Sequence, residues 1–118
     1  MKFCQKYNIT VVGYTPLGNP SRPLGKKDEK NILEDPVVAE IAKNQGKTSA
    51  QIALAWNMQR DVVVIPKSSK LSRAQENFDS QFITLTDDEI NQINELECNL
   101  KVFDPVGWDF WDYIPLFK

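Results

Sequence analysis

Val62-Val63-Val64-Ile65-Pro66-Lys67-Ser68-Ser69-Lys70-Leu71-Ser72-Arg73-Ala74-Gln75-Glu76-Asn77-Phe78 (62–78) carries a short apolar run into what reads as a helix start. Four β-branched residues in a row suit a strand buried on both faces, as in a parallel sheet, and Pro66 ends it. The strand then delivers Lys67, Ser68, Ser69 and Lys70 to a helix N-terminus, where unpaired N–H groups and the positive dipole end stabilise an anion. Helical spacing puts Arg73, Glu76 and Asn77 at i, i+3 and i+4 on one face. That face joins a planar cation to groups that accept from and donate to the edge of a base, a set suited to a phosphorylated adenosine. The same residue types equally suit a solvated, charged helix following a core strand, and residue types alone do not separate the two.

Outward from this junction, the 118 residues amount to one ordinary domain, with a 42% hydrophobic fraction, three Trp and six Phe to build a core. The net charge of -2, with both signs interspersed, argues against a broad nucleic-acid footprint. No apolar stretch has the length of a signal peptide or a membrane span, so a soluble, cytoplasmic, reduced protein is expected, without membrane or nucleic-acid partners. Cys4 and Cys98 lie far apart without metal-like spacing and read as two buried free thiols. The chain has no His, which removes the commonest metal ligand and the usual acid/base group near neutral pH.

Phe3 to Tyr7 reads as a last helical turn, and Asn8 turns the chain into a second β-branched run, so strands are expected at about 9–14 and 62–66. Pro16, Pro20 and Pro23, with Gly18 and Gly25, mark a long loop over about 15–34. Asp35-Pro36 opens a helix through Val37, Val38 and Ile41 that Gly46 ends. Thr48-Ser49-Ala50-Gln51 has the form of a capping box, after which Ile52, Ala55, Trp56 and Gln59 share one side. A second box, Thr86-Asp87-Asp88-Glu89, is flanked by Leu85 and Ile90 as a hydrophobic staple, and Ile93 and Leu96 extend the stripe. The order is βαβα with a parallel pair of strands. Two parallel strands cannot cover both of their faces, so part of a larger sheet is expected.

Gly13-Tyr14-Thr15-Pro16-Leu17-Gly18, Leu33-Glu34-Asp35-Pro36, Gly46-Lys47-Thr48-Ser49-Ala50-Gln51, Val64-Ile65-Pro66-Lys67-Ser68 and Arg73-Ala74-Gln75-Glu76-Asn77-Phe78 together resemble the C-terminal part of an aldo-keto reductase. The resemblance implies an α/β fold, the C-terminal portion of a (β/α)8 TIM barrel: its last two strands with their helices plus a C-terminal loop. A whole barrel needs roughly 250 residues, so a partial barrel over residues 1–118 is expected. It implies NADPH as cofactor and a small-molecule carbonyl substrate, with a monomer expected at full length. By resemblance Tyr14 stacks on the nicotinamide, and Thr15, Leu17, Gly18 and Asn19 meet the pyrophosphate. Lys67, Ser68 and Arg73 surround the 2′-phosphate, and Glu76 and Asn77 hold the adenine; Ser69 and Lys70 are counted with them as cofactor-binding.

The chain departs from the family pattern in places. Lys70 stands where many relatives have a hydroxyl residue and Leu71 where many have proline, which weakens the helix cap unless Ser69 takes that role. Ser21 replaces an Asp that tethers the cofactor loop in several relatives. The aromatic segment about 99–118 resembles the family's substrate loop, with Trp108 and Trp111 as its substrate-binding residues; the other reading is a tail that packs its rings on the barrel rim. The family's Asp, Tyr, Lys and His tetrad belongs to the preceding half of the barrel, so no catalytic residue is assigned, no metal is expected, and the isolated chain is expected to be inactive. A non-catalytic, nucleotide-binding regulatory product is the competing reading.

Overall fold

A computed structural model describes residues 1–18 and 31–97. Helix α1 (Lys2–Lys6) turns through Asn8, whose left-handed φ of 53° is a conformation Asn tolerates, into strand β1 (Val11–Gly13). Strand β2 (Val62–Val64) lies parallel to it, with Val11 beside Val62 and Gly13 beside Val64. Glycine suits that end, because a Cβ on Gly13 would meet the Val62 Cγ1 at 3.0 Å, a contact tight enough that the Val62 side chain would have to shift. Both strands are shorter than the 9–14 and 62–66 expected, since each has one partner and Pro66 has no N–H to donate. Burial on both faces is not met either. Val62 is buried on the side packed against helix α3 (Ser49–Met58), whereas Val12 and Val63, on the opposite face, are about half exposed.

Helix α2 (Pro36–Gln45) begins where the Asp35 carboxylate accepts from the Val37 N–H at 2.9 Å, and it ends at Gly46 in the left-handed conformation (φ 61°). Helix α3 has the expected capping box: the Gln51 N–H donates to Thr48 Oγ1 at 3.2 Å, and the Thr48 N–H donates to Gln51 Oε1 at 3.1 Å. It is not the one-sided helix its apolar stripe suggested. Gln51, Ile52, Ala53, Leu54 and Ala55 are all buried, because α2 and the segment around Ile83 and Leu85 cover one side while β2 and helix α4 (Leu71–Asp79) cover another. Val38, Ile41, Ala42, Ile52, Ala55, Ile83, Leu85 and Ile93 form the core, the last from helix α5 (Asp87–Asn94). Each Val, Ile and Leu side chain among them contributes about 1.5–3 kcal/mol on burial.

Two side-chain amides tie the later segments down. Gln59 Nε2 donates to the Leu85 carbonyl at 3.0 Å while its Oε1 accepts from the Leu85 N–H at 2.6 Å, a ladder-like pair made by a side chain. Leu85 is thereby fixed in the core cluster, against which Ile90 also packs. Cys4, expected to be buried, is a free thiol that stays half-exposed, because α1 is a single turn and a half with no fully buried residue. Cys98 lies outside the described residues.

At the start of α5, Glu89 accepts from Gln45 Nε2 at 2.9 and 3.0 Å and from the Thr86 N–H at 2.8 Å. Burial raises its pKa, but the hydrogen bonds from Gln45 and from the Thr86 backbone and hydroxyl outweigh that, so the carboxyl titrates below its ordinary 4.5. A folded-state pKa below the unfolded one gives stability that is present above the ordinary Glu value and is lost as pH falls through the lowered one. Glu89→Gln, which keeps a capping-box residue at that position, is therefore expected to melt below the unaltered chain at pH 7 and to approach it in acid; parallel thermal melts check this. Thr15, directly after β1 and its neighbour, has a φ of 52°, a left-handed conformation that costs a β-branched residue about 1–2 kcal/mol. Thr15→Gly should raise stability by about 0.5–1 kcal/mol despite glycine's entropy in the unfolded chain, measured by urea denaturation.

Candidate functional site

Because β1 and β2 are parallel and in register, the segments that follow them, 14–18 and 65–70, leave the sheet at the same end. They meet there around a cavity of about 430 Å³. Leu17 and Gly18 form one wall; Lys67, Ser68 and Ser69 form a second; Arg73, Glu76 and Asn77 project from α4 as the third. The i, i+3, i+4 spacing on α4 thus delivers a guanidinium, a carboxylate and an amide to one volume. The size is in the roughly 300–1,000 Å³ range of small-molecule sites. A neighbouring cavity of about 420 Å³ shares Ser68 and Asn77 but is bordered mainly by Met58, Val64, Pro66 and Phe78, with no cation.

The start of α4 explains why the first cavity suits an anion. The Ser68 hydroxyl accepts from the Lys70 N–H at 3.2 Å and donates to the Lys70 carbonyl at 2.9 Å, a local turn that brings Lys70 into the extended conformation of an N-cap. Ser69 does not cap the helix, contrary to the role open to it in sequence; the position falls to Lys70, whose side chain cannot accept a hydrogen bond. The first-turn N–H groups of α4 therefore have no side-chain cap and remain donors for solvent or for an anion. Lys67 and Arg73 add full positive charge beside them.

Other residues singled out in sequence lie elsewhere. Tyr14 follows β1 with 59% of its surface exposed and does not border the cavity. Thr15 is half-buried; its carbonyl accepts from the Gly18 N–H at 3.0 Å, so its contribution is to the turn that presents Leu17 and Gly18. Lys70 is exposed and also off the lining. Asn19, Ser21, Trp108 and Trp111 lie outside the described residues.

Three lining residues were not anticipated: Leu33, from the short helical turn Ile32–Glu34, and Thr48 and Ala50 at the start of α3. The capping box marked 48–51 as a helix start, which is the only local signal available; nothing nearby in sequence says that this start faces α4. A second helix N-terminus thus borders the same volume as Arg73 and Glu76. Among the described residues no cluster of three or more His, Cys, Asp or Glu side chains could hold a metal ion, and no helix is long and apolar enough to cross a membrane.

Comparison with known proteins matches the described elements to one family. The model of the aldo/keto reductase family aligns with residues 1–97. Aldo-keto reductase family 1 member D1 of Oryctolagus cuniculus is 38% identical over 109 residues, 92% of this chain and 33% of the relative. An NAD(P)H-dependent pentose reductase of Pyricularia oryzae is 36% identical over 110 residues, 89% of this chain and 33% of the relative. An NADP-dependent D-sorbitol-6-phosphate dehydrogenase of Malus domestica is 37% identical over 97 residues, 82% of this chain and 31% of the relative. The chain spans about a third of the length of these curated relatives. With the family match running from α1 through α5, the chain belongs to the aldo/keto reductase family.

Proposed function

We propose that the cavity between 14–18, the start of α3 and α4 holds the 2′-phosphoadenosine end of NADPH. The chain would then be the cofactor-binding C-terminal part of an oxidoreductase that reduces aldehydes or ketones to alcohols. The observation that carries this is the meeting of Lys67, Arg73 and the uncapped start of α4 with Glu76 and Asn77 around one volume. Cation and donor suit a phosphate; carboxylate and amide, adjacent in sequence, suit the donor and acceptor edge of adenine. The names of the pentose reductase and of the sorbitol-phosphate dehydrogenase are in keeping with a phosphorylated nicotinamide cofactor.

Family membership implies a (β/α)8 barrel, and the parallel β1–β2 pair is consistent with the last two strands of one. The half-exposed Val12, Val63 and Ile65 would face the other strands. In such an enzyme the cofactor supplies a hydride to the carbonyl carbon, and the resulting alkoxide takes a proton from an acid. No residue of this chain is assigned that proton: the 118 residues contain no His, and the family resemblance gives Tyr14 a stacking role on the nicotinamide. Leu17 and Gly18 approach the pyrophosphate through their backbone, made possible by the left-handed φ of 77° at Gly18. Lys67 and Arg73 select the 2′-phosphate, because an adenosine without it leaves two cations uncompensated.

Titration calorimetry with 2′,5′-ADP and with 5′-ADP tests this. The unaltered chain should prefer 2′,5′-ADP, and Arg73→Ala should cost on the order of tenfold in its affinity, the worth of one charge-assisted hydrogen bond, with little change for 5′-ADP. Equal affinity of the unaltered chain for the two nucleotides would sink the assignment. Full-length enzyme with Arg73→Ala should correspondingly lose preference for NADPH over NADH.

A further inference from the structure

Gln51 is a polar side chain with 7% of its surface exposed, and both ends of its amide are engaged. Its Oε1 accepts from the Thr48 N–H at 3.1 Å, closing the α3 capping box. Its Nε2 donates to the Glu76 carbonyl at 3.1 Å, 25 residues away on α4. That carbonyl belongs to the last turn of α4, where helix carbonyls lose their intrahelical partners. Ser80, with none of its surface exposed, donates its hydroxyl to the same oxygen at 3.1 Å. Thr48 and Ala50 at the start of α3, and Glu76 and Asn77 on α4, border the same cavity. One buried amide therefore links the start of α3 to the backbone of a lining residue on α4.

We propose that Gln51 is a positioning residue for the nucleotide site: it fixes the distance and rotation of α4 relative to the start of α3, so that Arg73, Glu76 and Asn77 converge on the bound nucleotide. The proposal rests on the assignment of that cavity to 2′-phosphoadenosine. Capping alone would need only the Oε1 end. The Nε2 end makes no contribution to α3, and Ser80 already satisfies the Glu76 oxygen, so what the second bond adds is a fixed relation between two helices.

The two ends can be separated in the full 118-residue chain. Gln51→Glu keeps the acceptor for the Thr48 N–H, in a capping box of ordinary composition, and removes the donor to Glu76. Residue-resolved amide exchange of this variant should show native protection in α3 and faster exchange in α4, and its affinity for 2′,5′-ADP should fall about three- to tenfold. Gln51→Met, similar in size and without charge, removes both ends; it should show the same loss of affinity together with a frayed first turn of α3. A general loss of stability would speed exchange in α3 and α4 alike in Gln51→Glu, and that result overturns the proposal. So does native α4 exchange, or native affinity for 2′,5′-ADP, in either variant. Should the unaltered chain fail to bind 2′,5′-ADP while Gln51→Glu loosens α4 alone, the cofactor assignment falls and the role of Gln51 in placing α4 stands.

Discussion

The burial of α3 from more than one side is the constraint on which the other elements depend. Ile52 and Ala55 enter the cluster formed with α2, α5 and the Ile83–Leu85 segment, while the helix also packs on β2 and α4. A ten-residue helix so enclosed has little room for charged side chains, and its sequence, Ser49-Ala50-Gln51-Ile52-Ala53-Leu54-Ala55-Trp56-Asn57-Met58, contains none. Small alanines let the neighbouring elements come close, and the larger Ile52 and Leu54 fill the space between them. At its C-terminal end, Trp56 donates to Asn94 at 3.1 Å and lies under the Arg60 guanidinium at 4.0 Å, so the helix is held on the α5 side by polar contacts as well.

The site follows from that placement. Parallel pairing of β1 and β2 sends both following segments to one end of the sheet, and the enclosed α3 directs its own N-terminus there too. Two helix starts, two cations and a carboxylate–amide pair then share a volume without any of them being deeply buried. Charge is kept at the rim where water compensates it in the absence of an anion, and the apolar core remains on the far side of α3. A buried polar link from Gln51 to the Glu76 carbonyl joins α3 to α4, and no buried side-chain nitrogen or oxygen among the described residues lacks a partner.

Much of this was legible where the physics is local. Asp35-Pro36, Thr48 with Gln51, Thr86 with Glu89, and Gly46 mark helix ends because a cap is made by residues within a turn of one another, and each of these is found in the structure. Arg73, Glu76 and Asn77 could be grouped because helical spacing brings them together. Strand burial was less legible, because whether Val12 and Val63 are covered depends on elements distant in sequence. The enclosure of α3 was missed for the same reason, since its neighbours come from α2, β2, α4 and α5. At α4 the cap is the weakened one that the sequence suggested: Ser69 does not take the role open to it, and Ser68 instead engages the backbone of Lys70 in a turn, a choice between adjacent hydroxyls that composition does not make.

By itself, then, the amino-acid order determined the helix starts and stops, the strand-to-helix junction at 62–77 and, through its motifs, membership in the aldo/keto reductase family. Tertiary structure alone decided that Leu33, Thr48 and Ala50 border the same cavity as Arg73 and Glu76, and that Gln51 reaches α4 as well as its own helix cap. The physical reason is range. Caps, turns and helical faces arise from interactions within a few residues, whereas a cavity and the bond across it require segments some 25 residues apart to be packed against each other first.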